Sequence, residues 1–358
     1  MDIKKMSIDE KIGQRFIFGV NDIDVEPIID LIKKCHIGGI VLYKRNYRSY
    51  DDMLKVIKKF KEANKTNDIP LFISIDQEGG VVNRIPSEIH NLKNIYEVTK
   101  TDINNVTEYA DIIGKILAQS GINMNLSPVL DIYNNSKSKA LEKRCFYGDE
   151  KVVTECGRKY VKELDKNGII SVIKHFPGHG ASMMDSHFFV PYIHNYEAVL
   201  NNHIKPFEVL LRDAPSVMVG HLVIRKLTGM KPATMATDFS TKYIREKYNY
   251  DGIVMTDEIN MLKKHLSYRF NYIDKMLKSD NDIILVKIKD ANEGYKIIKK
   301  YKKILSNNDE LQKLDRHVER ILKIKDKYNI NDNTDYQGID IDKVNKRIDK
   351  INNIFKEK

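Results

Sequence analysis

From Gly252 to Lys287 the chain reads GIVMTDEINMLKKHLSYRFNYIDKMLKSDNDIILVK. The two ends of this stretch, GIVMTD and DIILVK, are near-continuous apolar runs, the pattern of strands covered on both faces. Strands of that kind lie parallel and are joined by helical crossovers. The same alternation recurs along the chain. Strands are expected at 16–20, 39–43, 71–76, 124–131, 170–176, 216–222, 252–257 and 282–287, with helical periodicity at 51–65, 107–119, 150–167, 196–212 and 240–248. Eight such units in about 290 residues predict an α/β protein of the (β/α)8 barrel type. The barrel is expected over residues 1–306 and a charged helical tail over 307–358. In the tail, Val318, Ile321, Leu322 and Lys325 share one helical spacing. The segment NINDNTDYQG (329–338) then interrupts before a last amphipathic stretch at 341–355, and these helices are expected to pack outside the barrel.

Composition excludes several classes. The 358 residues carry 60 Lys+Arg against 50 Asp+Glu, a formal net charge of +10, and 42% are hydrophobic, ample for a core. No apolar run approaches the ~18 residues of a membrane span. The start, MDIKKMSIDEK, lacks the apolar core of a signal peptide, so the expected location is cytoplasmic. Cys35, Cys145 and Cys156 form neither a paired framework nor a CxxC, and are expected to be packing thiols. The positive charge is spread over solvated helix faces without a recognition motif, so no nucleic-acid partner is expected. A monomer or weak oligomer is the expected state.

A barrel collects its reactive groups where its strands end. Strand three ends in Asp76, followed by Gln77 and Glu78, Asp131 ends strand four, and Lys174–His175 end strand five. Strand six ends in His221, and strand seven in Asp257–Glu258. An Asp at a strand-to-helix junction is often no more than a helix cap, which accounts for Asp131 taken alone. It does not account for Lys174, His175 and His221. The densest segment, KHFPGHGASMMDSH (174–187), has metal-ligand residue types, and His175 and His179 stand four apart as in helical zinc motifs. Pro177 and Gly178 break any helix between them. No metal is therefore expected, with a zinc hydrolase as the rival. The other reading is acid–base chemistry. Asp185 and His187 point the same way in an extended segment, and a carboxylate beside an imidazole fixes its tautomer and raises its basicity.

The motifs DQEGG (76–80) with Arg84, NMNLSPVLD (123–131), KHFPGHG followed by DSH (185–187), and GIVMTDEINM (252–261) occur in an order that resembles glycoside hydrolase family 3. Within it they are most similar to the single-domain β-N-acetylglucosaminidase (β-hexosaminidase) branch. KIGQ (11–14), GGIVLYKRN (38–46), EKRCFYGDE (142–150), Pro206–Phe207 and PATM (232–235) support the likeness, which runs from about Lys11 to Lys327. The resemblance implies a nucleophile at Asp257 and an acid/base at His187 supported by Asp185. It also implies sugar-hydroxyl contacts from Asp76, Arg84, Arg144, Lys174 and His175, with no cofactor. Three positions depart from the family pattern. Ala181–Ser182 replace Asp-Thr, Glu258 replaces a second Asp, and Val81 replaces Arg.

The activity implied is retaining exo-β-N-acetylglucosaminidase action on a small carbohydrate or muropeptide, as in peptidoglycan recycling. Phosphorolysis on the same site is one alternative, because a His acid/base leaves the incoming anion without a second carboxylate to face. A catalytically weakened wall-sugar-binding protein is another. A β-glucosidase of the broader family is disfavoured, since its carboxylic acid/base normally comes from a following domain. The chain has no Trp, so Tyr or Phe would supply any sugar platform.

Overall fold

Each expected strand forms where its apolar run lies: β1 Phe16–Val20, β2 Gly39–Leu42, β3 Phe72–Ile75, β4 Met124–Asn125, β5 Ile170–Phe176, β6 Ser216–Val219, β7 Ile253–Thr256 and β8 Ile284–Ile288. The computed structural model describes residues 2–133, 141–182, 191–193, 196–264 and 271–354. All neighbouring strands run parallel in the order β7-β6-β5-β4-β3-β2-β1-β8. A bridge between Met255 and Ile283 closes β7 onto β8, with the Thr256 N–H donating to the Ile283 carbonyl at 3.0 Å. The chain is a (β/α)8 barrel.

Strand four is shorter than expected, because the Ser127 N–H turns back onto the Asn125 carbonyl (2.8 Å) and the Val172 N–H of β5 donates to the Ser127 carbonyl instead (3.0 Å). The extended chain nonetheless continues beside β5, where the Leu130 N–H donates to the Lys174 carbonyl (2.8 Å) and the Lys174 N–H to the Pro128 carbonyl (3.1 Å). This carries Asp131 up to the level of Lys174 and His175. Helices form at Tyr50–Asn64, Asn105–Gln119 and Glu150–Lys166, close to expectation. The stretch 196–212 is instead broken into a turn at Tyr196–Ala198, a wide π turn at Val199–His203 and a helix at Lys205–Leu210. Pro206 sits in the first turn of that last helix, where a missing N–H costs nothing.

Ile17, Val41, Phe72, Met124, Ile170, Met218, Met255 and Leu285 fill the barrel's interior. Helix Asn308–Lys327 lies across the N-terminal end of the strands, and its Ile321 and Ile324 reach that interior while Leu314, Val318 and Leu322 join the outer core. Helix Ile341–Asn353 packs on Asn105–Gln119, with Arg347 paired to Glu108 and Asp111. The three cysteines are free thiols, two of them buried. Burial pushes Cys35 up to about 11 and Cys156 up to about 12. Among the described residues no helix is long and apolar enough to cross a membrane.

Candidate active site

The C-terminal rim is shaped first by the turn after β3. Gln77 is clamped by Asn125, whose Oδ1 accepts the Gln77 N–H (3.0 Å) and whose Nδ2 donates to the Gln77 carbonyl (2.9 Å). Gln77 Oε1 in turn accepts the Arg84 N–H at 2.9 Å, folding the segment back so that Arg84 faces the barrel mouth. Gly79 allows this fold at φ +82°, where a Cβ would lie 2.0 Å from the Tyr109 hydroxyl.

Glu78 is the hub of the resulting fork. Its carboxylate accepts Arg144 Nε and Nη2, both at 2.8 Å, and is 2.6 Å from Lys174 Nζ, which also reaches Asp76 Oδ1 at 2.7 Å. Burial pushes the Glu78 carboxyl up, but the Arg144 guanidinium and the Lys174 ammonium outweigh it and hold the group well below the usual carboxylate range. Burial likewise lowers Lys174, and the Asp76 and Glu78 carboxylates outweigh that to raise it. Glu78 is thus paired with two cations, one of them shared with Asp76, while Asp76, Arg144 and Lys174 still face the cavity.

Asp131 organises the second group. It is fully buried and accepts His175 Nδ1 at 2.7 Å, the His175 N–H at 3.3 Å and the His179 N–H at 2.6 Å. An ionised carboxylate only accepts, so His175 carries its proton on Nδ1 and keeps Nε2 as its remaining polar atom. The Gly178 N–H donates to the His175 carbonyl at 2.8 Å, so PGHG is a turn, with the two imidazole rings edge to face at 5.9 Å. His179 is buried, among the described residues neither of its ring nitrogens has a hydrogen-bond partner, and burial pushes it down to about 4. Among the described residues no group of three or more His, Cys, Asp or Glu side chains is arranged to hold a metal.

Asp257 follows β7, its N–H donating to the Val219 carbonyl at 3.0 Å. Oδ1 accepts the Glu258 N–H at 2.7 Å, and among the described residues nothing donates to Oδ2. Burial pushes this carboxyl up, but the imidazoles of His221 and His175 and the Glu258 N–H outweigh it, leaving an anion at neutral pH. Glu258 lines the same cavity, and its carboxylate is held by backbone. Its Oε1 accepts the N–H groups of Asn260 (2.8 Å) and Lys287 (3.1 Å), tying the turn after β7 to β8, and burial pushes it up to about 7.

One cavity of about 900 Å³ takes in Asp76, Arg84, Arg144, Lys174, His175 and Asp257, the size of a small-molecule site. Tyr43, at the end of β2, is the tyrosine in its wall. Six of the eight expected site residues therefore meet at one opening. The other two, Asp185 and His187, lie outside the described residues. Glu78 and Asp131, which order the side chains of this opening, were not among the expected site residues. Both had the same signal, a carboxylate at a strand end on the reactive rim, and Asp131 is no helix cap.

The family model of the glycosyl hydrolase family 3 N terminal domain matches residues 7–324. The chain belongs to glycosyl hydrolase family 3. This family 3 chain is 30% identical over 328 residues to Beta-hexosaminidase A of Pseudoalteromonas piscicida, a match covering 83% of this chain and 54% of that protein, about half its length. Beta-hexosaminidase LpqI of Mycobacterium tuberculosis is 28% identical over 284 residues, 76% of this chain and 71% of the relative. Among solved structures, a family 3 β-N-acetylglucosaminidase from Paenibacillus sp. superposes with a TM-score of 0.86 at 26% identity, over 98% of this chain and 69% of that one. M. tuberculosis LpqI gives 0.78 at 26% identity, over 89% and 94%.

Proposed function

We propose that the protein removes terminal β-linked N-acetylglucosamine from small glycosides with retention of configuration. The observation that carries this reading is the single cavity in which the Asp257 carboxylate meets the fork of Asp76, Arg144 and Lys174. The fork, with Arg84 and His175, would grip the sugar hydroxyls through charged hydrogen bonds. Asp257 Oδ2 would attack the anomeric carbon, giving a glycosyl-enzyme that water then hydrolyses. His187, supported by Asp185, would protonate the leaving oxygen and later take the proton from water. This chemistry needs no metal or organic cofactor. The relatives named as β-hexosaminidases support N-acetylglucosamine over glucose as the substrate sugar. Wall-derived fragments ending in that sugar are the proposed natural substrates.

The test compares p-nitrophenyl N-acetyl-β-glucosaminide with the matching β-glucoside and follows the first-formed anomer by NMR. Preferential cleavage of the former with β-product first is expected. Preference for the glucoside, or α-product first, overturns the proposal. Release of sugar 1-phosphate in phosphate buffer would move it to phosphorolysis.

A further inference from the structure

Behind the nucleophile's backbone runs a buried chain of hydrogen bonds to which the reading above gives no part. Thr234, in the PATM segment, is fully buried in the short turn Ala233–Met235. That turn is anchored from two sides. The Ala233 N–H donates to the Leu222 carbonyl (2.8 Å) beyond β6, and Asn281 Nδ2 donates to the Thr234 carbonyl (3.2 Å) ahead of β8. The Thr234 hydroxyl lies 2.8 Å from Nδ1 of His221, itself buried. Nε2 of His221 lies 2.9 Å from the Glu258 carbonyl oxygen. A carbonyl only accepts, so Nε2 carries a proton. Residue 258 is thus gripped at its carbonyl while its N–H holds Asp257 Oδ1 at 2.7 Å.

We propose that His221 and Thr234 are positioning residues for the nucleophile. They fix the backbone of residue 258 so that its N–H pins Oδ1 and turns Oδ2 toward the anomeric carbon. The proposal rests on Asp257 being the nucleophile. A carboxylate's terminal torsion is broad, so without this hydrogen bond Asp257 would sample orientations that cannot attack. Displacements of about 1 Å in a reacting group cost about a hundredfold in rate. None of the fork residues lies on the elements that carry this chain, since Asp76, Arg84, Arg144, Lys174 and His175 follow β3, precede the helix Glu150–Lys166 or end β5. The loss should therefore fall on kcat and leave KM in place. His179 supplies the contrast, an imidazole equally buried for whose nitrogens the described residues offer no such chain of partners.

The full chain is assayed on p-nitrophenyl N-acetyl-β-glucosaminide, and covalent labelling is followed with a 5-fluoro N-acetylglucosaminyl fluoride. Thr234→Val removes the hydroxyl at nearly constant volume and should lower kcat and labelling rate about tenfold, with KM within about twofold. Thr234→Ser keeps the hydroxyl and should restore both. His221→Gln, whose amide can donate to the Glu258 carbonyl, should retain more kcat than His221→Leu, which should lose about a hundredfold. A loss confined to KM, or equal activity in Thr234→Val and Thr234→Ser, overturns the positioning role. Should Thr234→Val fail to fold, equal kcat in the two His221 variants overturns it just as well. Wild-type label on a residue other than Asp257 is a different result, and it overturns the nucleophile assignment instead.

Discussion

The two ends of the barrel bury charge in similar amounts and use it differently. At the C-terminal end Glu78, Arg144, Lys174 and Asp76 form a closed ionic group, yet three of the four still line the cavity. At the N-terminal end Asp282 takes Arg245, Arg320, His317 Nδ1 and the Val254 N–H, and its carboxylate is wholly buried among them. There Lys325, fully buried, gives its ammonium to Gln14 Oε1 (2.7 Å) and to the carbonyls of Gly38 (2.9 Å) and Pro70 (2.6 Å), above the Phe72 ring. Those carbonyls precede β2 and β3, so the tail helix is pinned to the strand starts. Buried charge alone does not mark a site. What marks it is charge paired on one side and facing an opening on the other.

The open end is most sensitive at Asp257. Asp257→Ala should lower kcat by about four orders of magnitude while the thermal midpoint stays within a few degrees. Equal loss of stability would make Asp257 a structural group like Asp282. Asp282→Asn should do the reverse, costing about 3–5 kcal/mol of unfolding free energy because Arg245 and Arg320 lose their countercharge. Its kcat at a temperature where it is folded should be unchanged. Burial raises the Asp282 carboxyl, but Arg245, His317 and Arg320 outweigh it and hold the group well below its ordinary 3.8. The gap between wild type and variant is therefore fully present above that value and closes as pH falls below it. Urea unfolding at pH 7 and in acid measures both.

Glu78→Gln tests the fork itself. It should cost about a hundredfold in kcat/KM, because Arg144 and Lys174 lose the hub that orders them. An unchanged kcat/KM would show the open end to be as purely structural as the closed one. At Lys325 the effect is graded by pH, since burial pushes its ammonium down to about 7 from 10.5. Between those values the unfolded chain holds more protons than the folded one, so the folded state gains stability as pH rises through the window. Unfolding free energies of wild type and Lys325→Met should diverge there by up to about 1.4 kcal/mol per pH unit, in favour of the wild type. Parallel curves would mean that the ammonium stays charged in its buried site.

Most of the architecture was legible from short-range pattern. All eight strands lie where apolar runs predicted them, because a strand covered on both faces has few alternatives to burial. Strand four ended early where the Ser127 N–H turned back onto the Asn125 carbonyl, and the helix expected at 196–212 was interrupted by a wide π turn at Val199–His203, neither of which the apolar pattern marks. Strand ends also drew attention to the rim that carries Asp76, Lys174, His175 and Asp257, with Arg84 and Arg144 brought in by family resemblance. Glu78 remained hidden because its role depends on Arg144, 66 positions away, and on Lys174. Asp131 looked like a cap because its partners, His175 and His179, lie 44 and 48 positions away.

Parallel strands separated by helices, and the strand ends that bear reactive side chains, are already written into the residue order. Both follow from periodicity and from the succession of residues along one strand. Which charges neutralise one another, which remain facing the cavity, and that Lys325 closes one end while Lys174 serves the other are settled by folding. The physical reason is that pairing energy in a low-dielectric interior depends on distances of a few ångströms between groups far apart in the chain. No local pattern encodes those distances.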